Sequence, residues 1–222
     1  MEIKYLGHSC FRIKGKDVII VIDPVSPETG FKLAKVSADV VTVSHQHPDH
    51  NYLKIVTGTT VHPQPFVIDA PGEYEIGGAF IDGITSFHDN SKGGKRGKNI
   101  IFNYELEGIT LCHLGDLGHE LDSSQIDEID DVDILFIPVG GNVTIDAETA
   151  LKVVNQIEPK IIIPMHYKTA QTNIEIQPVA EFLKLMGVEN LTPVDKLNIS
   201  VDQLPVDRQV VLLTAKGDKA EE

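Results

Sequence analysis

Val40-Val41-Thr42-Val43-Ser44 runs directly into His45-Gln46-His47-Pro48-Asp49-His50. The apolar run reads as a buried strand, and the six residues after it form the loop that leaves it. In α/β proteins such loops commonly carry ligands. Pro48 biases His47 toward an extended backbone, in which residues two apart project to one side, so His45 and His47 can pinch one ion. Asp49 and His50 open a short helical run, expected over residues 51–56, that turns away from the first pair and can hold a second ion. Imidazole and carboxylate suit zinc, manganese and iron. Two such ions about 4 Å apart form a hydrolytic centre.

The bland alternative is a polar loop whose histidines only hydrogen-bond. A metal site needs more ligands than one loop offers, and the chain supplies them at other strand ends. His88 follows the β-type run 79–87, Asp116 follows 109–114 in His-Leu-Gly-Asp, and His166 follows Ile161-Ile162-Ile163-Pro164. Further β-type runs are expected at 2–6, 10–13, 17–22, 39–44, 66–68, 74–76, 99–106, 133–139, 160–163 and 209–213, separated by turn signals such as Pro71-Gly72 and Gly77-Gly78. Helices are expected behind the N-cap Asp146, where Ala147, Leu151, Val154 and Ile157 keep helical spacing up to Pro159, and over 178–186. The class is α+β, with strands dominating early.

The chain has 222 residues, about one and a half average domains, and no repeat divides it, so one domain over 1–222 is expected. With 41% hydrophobic and 23% charged residues, collagen-like, coiled-coil and disordered classes are excluded. The longest aliphatic run, 18–22, is far short of a membrane span. Nineteen basic against 33 acidic residues give a net charge of −14, a field that repels phosphate backbones and disfavours nucleic acid as a partner. A small molecule is the expected partner, with the oligomeric state left open. Two cysteines are too few for a disulfide framework, and residues 1–11 lack a signal-peptide pattern, so a reducing cytoplasm is the expected compartment. Residues 216–222 have little to bury and are expected to fray.

His45-x-His47-x-Asp49-His50 followed in order by His88, Asp116 and His166 resembles the metallo-β-lactamase superfamily over nearly the whole chain. Gly7-His8-Ser9-Cys10-Phe11, Pro71-Gly72-Glu73-Tyr74-Glu75 and Gly115-Asp116-Leu117-Gly118-His119 resemble the small branch related to ascorbate-6-phosphate lactonase and N-acylphosphatidylethanolamine phospholipase D. The resemblance implies a four-layer αββα sandwich with two divalent metal ions at one edge, zinc first, with manganese or iron also fitting. It also implies a partition: His45, His47 and His88 on the first ion, Asp49, His50 and His166 on the second, Asp116 bridging. The expected enzyme is a hydrolase using a metal-bridging hydroxide on an ester, lactone or phosphodiester, with Asp49 and Asp116 as its catalytic carboxylates. A non-catalytic metal-binding or sensing protein on the same fold is the other reading.

The remaining candidates carry a structural reading beside the functional one. His8 could orient substrate or support a ligand, and His119 could face the site. His113 reads as a buried, hydrogen-bonded histidine and His62 as an ordinary loop residue. Asp23 and Asp69 end β-runs and are expected to support ligand histidines; Asp89 could do so or cap a turn. Lys92, Lys95, Arg96 and Lys98 place four cations in the segment 91–98, just after His88. Its glycines predict a mobile basic flap, with Arg96 the best residue for a two-pronged contact to a substrate's phosphate or carboxylate. Cys10 and Cys112 read as buried structural thiols.

Overall fold

The computed structural model describes residues 1–216. In chain order the elements are β1 (Glu2–Gly7), β2 (Cys10–Lys14), β3 (Ile19–Ile22), β4 (Val36–Ser37), β5 (Val40–Thr42), β6 (Val56–Thr57), β7 (Phe66–Ile68), β8 (Gly72–Ile76) and β9 (Ala79–Phe87). There follow β10 (Lys98–Leu106), β11 (Ile109–His113), α1 (Ser123–Ile129), β12 (Ile134–Pro138), α2 (Ala147–Ile157), β13 (Ile161–Met165), α3 (Ala180–Leu185), β14 (Leu197–Asn198) and β15 (Gln209–Val210).

Two large sheets form, ordered β14-β1-β2-β3-β5-β7 and β15-β13-β12-β11-β10-β9-β8, and β4 pairs with β6 in a small third one. Each has an antiparallel part and a parallel part: β3, β5 and β7 run parallel in the first, β11, β12, β13 and β15 in the second. The parallel strands β12 and β13 are buried at every residue, as expected where both faces are covered. By contrast, β9 alternates buried and exposed positions along most of its length. The sheets face each other across one apolar cluster that runs from Ile3 to Ala215. Phe11 of β2 packs on Phe136 of β12 with ring centroids 4.5 Å apart, and Thr42 of β5 shares a 2.7 Å hydrogen bond with Tyr104 of β10.

This is the expected α+β sandwich of two facing sheets, with its α-helices confined to the C-terminal half. α1 lies against β9, and α2 packs on α1 and α3. Between β1 and β7 the connections hold 3₁₀ turns and the short strands β4 and β6, and no α-helix. In α2 the Asp146 side chain caps the Thr149 amide, and Glu158 ends the helix in a left-handed conformation. Its buried face is Ala147, Ala150, Val153, Val154 and Ile157, so Leu151 sits beside the stripe rather than in it.

The expected helix over 51–56 does not form. A 3₁₀ turn at Leu53–Ile55 gives way to β6, because Val56 pairs with Val36. β13 extends two residues past the expected end and delivers His166 directly from Met165. Lys216 donates its amide to Tyr5, so it is tied down; the rest of the tail expected to fray lies outside the described residues. Cys10 and Cys112 are buried free thiols, as expected, with burial pushing both thiols up. Among the described residues no helix is long and apolar enough to cross a membrane.

Candidate metal centre

Parallel strands in adjacent register end at a common edge, and the polar residues cluster there. Asp23 follows β3, His45 to His50 follow β5, His88 follows β9, Asp116 follows β11 and His166 follows β13. The β1–β2 turn adds His8. His45, His47 and His88 place one nitrogen each within 4.8 Å of one another. So do His8, His50 and His166, and a third set joins His45, His50 and Asp116. Asp116 Oδ2 stands 3.3 Å from His50 Nε2, 3.2 Å from His88 Nε2, 3.3 Å from His166 Nε2 and 4.0 Å from His45 Nε2. Asp49 Oδ2 lies 3.3 Å from His8 Nε2 and is partly exposed.

A metal fits this donor set. Atoms bound at about 2.0–2.2 Å to one ion stand roughly 3–3.5 Å apart, the spacing found around Asp116. His45 Nε2 and His50 Nε2 are buried with no hydrogen-bond partner, a cost the protein would carry for nothing if no ligand met them. Burial holds His45 down at about 3, so it is neutral and free to ligate. Burial alone would also lower His50, but the Asp116 and Asp23 carboxylates outweigh it and raise it well above its ordinary value. Burial alone would raise Asp116; His166 and His50 beside it hold it well below the usual carboxylate range.

Neighbouring side chains fix these donors. Asp23 accepts the Ser44 amide at 2.7 Å on Oδ1, while its Oδ2 takes the Ser44 hydroxyl at 2.6 Å and His50 Nδ1 at 2.9 Å. With its proton committed to Asp23, Ser44 Oγ accepts from His45 Nδ1 at 2.9 Å. Thus Asp23 points both His45 Nε2 and His50 Nε2 inward, the supporting role expected of it. Asp116 is set by Asn99, whose Oδ1 accepts the Asp116 amide and whose Nδ2 donates to Leu114 O and Ser86 Oγ. Gly115, at φ +56°, lets that loop pass: a Cβ would collide with the Asn99 oxygen and with Ser44. His113 is buried and bridges the Ser9 carbonyl and the Gly115 amide, as read from sequence.

Other candidates fall outside the cluster. His119 accepts the Phe87 amide at 3.2 Å and contacts Glu120 O at 2.7 Å, so its ring closes the end of β9. Asp69 takes Gln46 Nε2 at 3.1 Å and braces the ligand loop through that amide, not through a histidine as expected. His62 pairs with Asp39 at 3.0 Å, remote from the centre. Asp39 keeps Thr59 and the Ile19 amide without it. His62→Ala should therefore leave metal content unchanged and cost about 0–1 kcal/mol in urea unfolding.

The segment 91–98 is not hinged as a free flap. Asp89 accepts the amides of Ser91, Gly93, Lys95 and Arg96 at 2.7, 3.1, 2.9 and 2.7 Å. Burial would raise its carboxyl, but these four donors bring it down to about 2. Asp89 is thus the hub of the loop rather than a support for His88. So held, Arg96, Gly97 and Lys98 line a cavity of about 370 Å³ together with His45, His47, Gln46 and Asp69. Arg96 Nη2 lies 3.4 Å from Asn142 O across from it.

Residues 2–166 match the family described as the beta-lactamase superfamily domain. A UPF0173 metal-dependent hydrolase of Carboxydothermus hydrogenoformans is 31% identical, the match covering 76% of this chain and 85% of that protein. A Thermotoga maritima structure, assigned to the Zn-dependent hydrolases of the metallo-β-lactamase superfamily, superposes with a TM-score of 0.78 at 40% identity, covering 96% of this chain and 97% of the other. The isothiocyanate hydrolase from Delia radicum gut bacteria shares the fold, with a TM-score of 0.67 at 13% identity over 90% of this chain and all of that one. Matched by that family over most of its length and sharing 31% identity with a curated relative, the chain belongs to the beta-lactamase superfamily domain family, in the group whose members are named UPF0173 metal-dependent hydrolases.

Proposed function

We propose that this chain is a dinuclear metal-dependent hydrolase of small anionic esters, lactones or phosphodiesters, on the side of the superfamily related to ascorbate-6-phosphate lactonase. The observation that carries the reading is Asp116 Oδ2, set among the Nε2 atoms of His45, His50, His88 and His166. His45, His47 and His88 would hold one ion, Asp49, His50 and His166 the other, with Asp116 between them. Zinc is the first choice, and the donors also accept manganese or iron. Bound there, such ions supply hydroxide at neutral pH by lowering the pKa of water from 15.7 to about 7, and they neutralise charge that develops on the substrate. Asp49, partly exposed at the rim, is placed to orient the proton of the attacking water. The buried free thiols of Cys10 and Cys112 support a reducing cytoplasm as the compartment.

Elemental analysis of purified and reconstituted protein should give up to two transition ions per chain, and anomalous scattering at each edge should place them among these side chains. The loaded protein should turn over at least one member of a panel of esters, lactones and phosphodiesters. Ions clustered elsewhere, or a fully loaded protein inert to the whole panel, would overturn the reading.

The cavity beside His45 and His47 gives the substrate's anionic group a place, with Arg96 and Lys98 as its cations. Once a substrate is in hand, Arg96→Ala should reduce kcat/KM for the anionic form by about 10–100-fold, the worth of a charge-assisted hydrogen bond, and far less for a neutral analogue. Added salt should blunt the difference. Equal losses on both substrates would mean that Arg96 only supports the loop.

A further inference from the structure

We propose that His8 is itself a ligand of the second ion, so that this position has the protein donors His8, Asp49, His50, His166 and Asp116, one more than the first. The inference rests on the dinuclear reading above and refines which residues complete it.

The geometry at His8 is unlike that of a turn residue. Gly7 pairs with Cys10, leaving His8 and Ser9 as the two residues of a tight hairpin. His8 sits there at φ +60°, a left-handed conformation that glycine adopts without strain and histidine does not. Its carbonyl accepts both the Tyr5 hydroxyl and the His166 amide at 2.8 Å, which pins the turn and ties it to the neighbouring ligand. The ring is buried at 1% exposure, Nδ1 has no hydrogen-bond partner, and Nε2 meets only the Asp49 carboxylate. It packs at a tilt 4.1 Å from His166 and 4.9 Å from His50, centroid to centroid. Its donor nitrogen falls within 4.8 Å of theirs, and its Nε2 is 3.3 Å from Asp49 Oδ2. A purely structural histidine in such a pocket would satisfy both nitrogens. This one is held in a strained turn with Nδ1 unpartnered and Nε2 set beside Asp49, among three side chains of the second position.

The extra donor separates the two positions chemically. Four donors suit a tetrahedral ion such as zinc, whereas five with room for a water suit an octahedral one such as manganese or iron.

The test uses the full chain loaded with ¹¹³Cd after uniform ¹⁵N labelling of histidine. His45, His47, His88, His50 and His166 give five cadmium-split ring nitrogens under the dinuclear reading alone; ligation by His8 gives a sixth. The sixth signal should disappear in His8→Gln. In parallel, the second equivalent of Co²⁺ should bind at least tenfold more weakly to His8→Gln and give stronger visible bands, because its coordination number has fallen. Five split nitrogens in the native protein, with unchanged cobalt binding and spectrum in His8→Gln, would overturn the proposal and leave the dinuclear reading intact. If His50→Ala still bound two ions with native affinity, the assignment of the second position to these side chains would fall, and this proposal with it. The count on native protein stands even if the variant does not fold.

Discussion

Asp116→Ala is expected to bind metal at least about 100-fold more weakly than the native chain, to retain at most one ion after reconstitution, and to show no turnover. Its carboxylate lies within 4.0 Å of ring nitrogens from both proposed positions. Without it, two cations would face each other across imidazoles alone, with their mutual repulsion unscreened in a buried site. The loss should exceed the about 10–100-fold typical of removing a group that only supports a ligand. Asp116→Asn separates charge from shape: its amide can reach the same place but supplies one neutral oxygen, so it should recover part of the first ion and not the second. Inductively coupled plasma analysis after dialysis, with calorimetric titration of zinc, gives both numbers. Native stoichiometry in Asp116→Ala would show that the carboxylate is not the bridge. An effect of His62→Ala as large as that of Asp116→Ala would overturn the sorting of the histidines.

The positions of the proposed ligands are legible because each stands in the loop that leaves an apolar strand. Parallel strands in register deliver such residues to a common edge, so order along the chain becomes proximity in space. What the sequence hid was support that has no pattern of its own. Asn99 lies near the start of β10 among apolar neighbours, and only the return of the 113–116 loop gives its amide a purpose. Ser44 matters because its hydroxyl stands between Asp23 and His45, a relation set by two chain segments. His8 looked ambiguous because a positive φ at a histidine is invisible in sequence, yet that conformation aims the ring. The basic segment after His88 was visible by charge, but its glycines suggested freedom where Asp89 supplies four acceptor contacts. Among the elements, α1 escaped because seven residues carry too little periodicity; its cap, Asp122 with Gln125, was the available signal. The two-residue strands β4, β6 and β14 exist through their partners and leave no alternation to read.

Asp23→Asn is the second large effect, and it should appear in both metal affinity and stability. In the native chain Asp23 Oδ2 receives the Ser44 hydroxyl and His50 Nδ1, and Oδ1 receives the Ser44 amide. An asparagine cannot serve all three donors. With its NH₂ at the Oδ2 place it confronts two donors, and flipped it confronts the Ser44 amide, so either orientation leaves a buried clash. Both His45 and His50 lose their orientation through the same residue, so both ions should bind about 10–100-fold more weakly. In metal-free protein the change breaks a fully buried charged contact and should cost roughly 3–5 kcal/mol in urea unfolding at pH 7. The pH dependence identifies the cause. Burial alone would raise the Asp23 carboxyl, but the hydrogen bond and charge of His50 hold it below its ordinary 3.8. A carboxyl lowered in the folded state stabilises above its unfolded pKa, and that contribution is lost as pH falls through the folded value. The stability gap between native and Asp23→Asn protein should therefore be constant from neutral pH down to about 4 and narrow below it. A gap that persists unchanged into acid would mean that the shape of the side chain, not its charge, holds His45 and His50 in place.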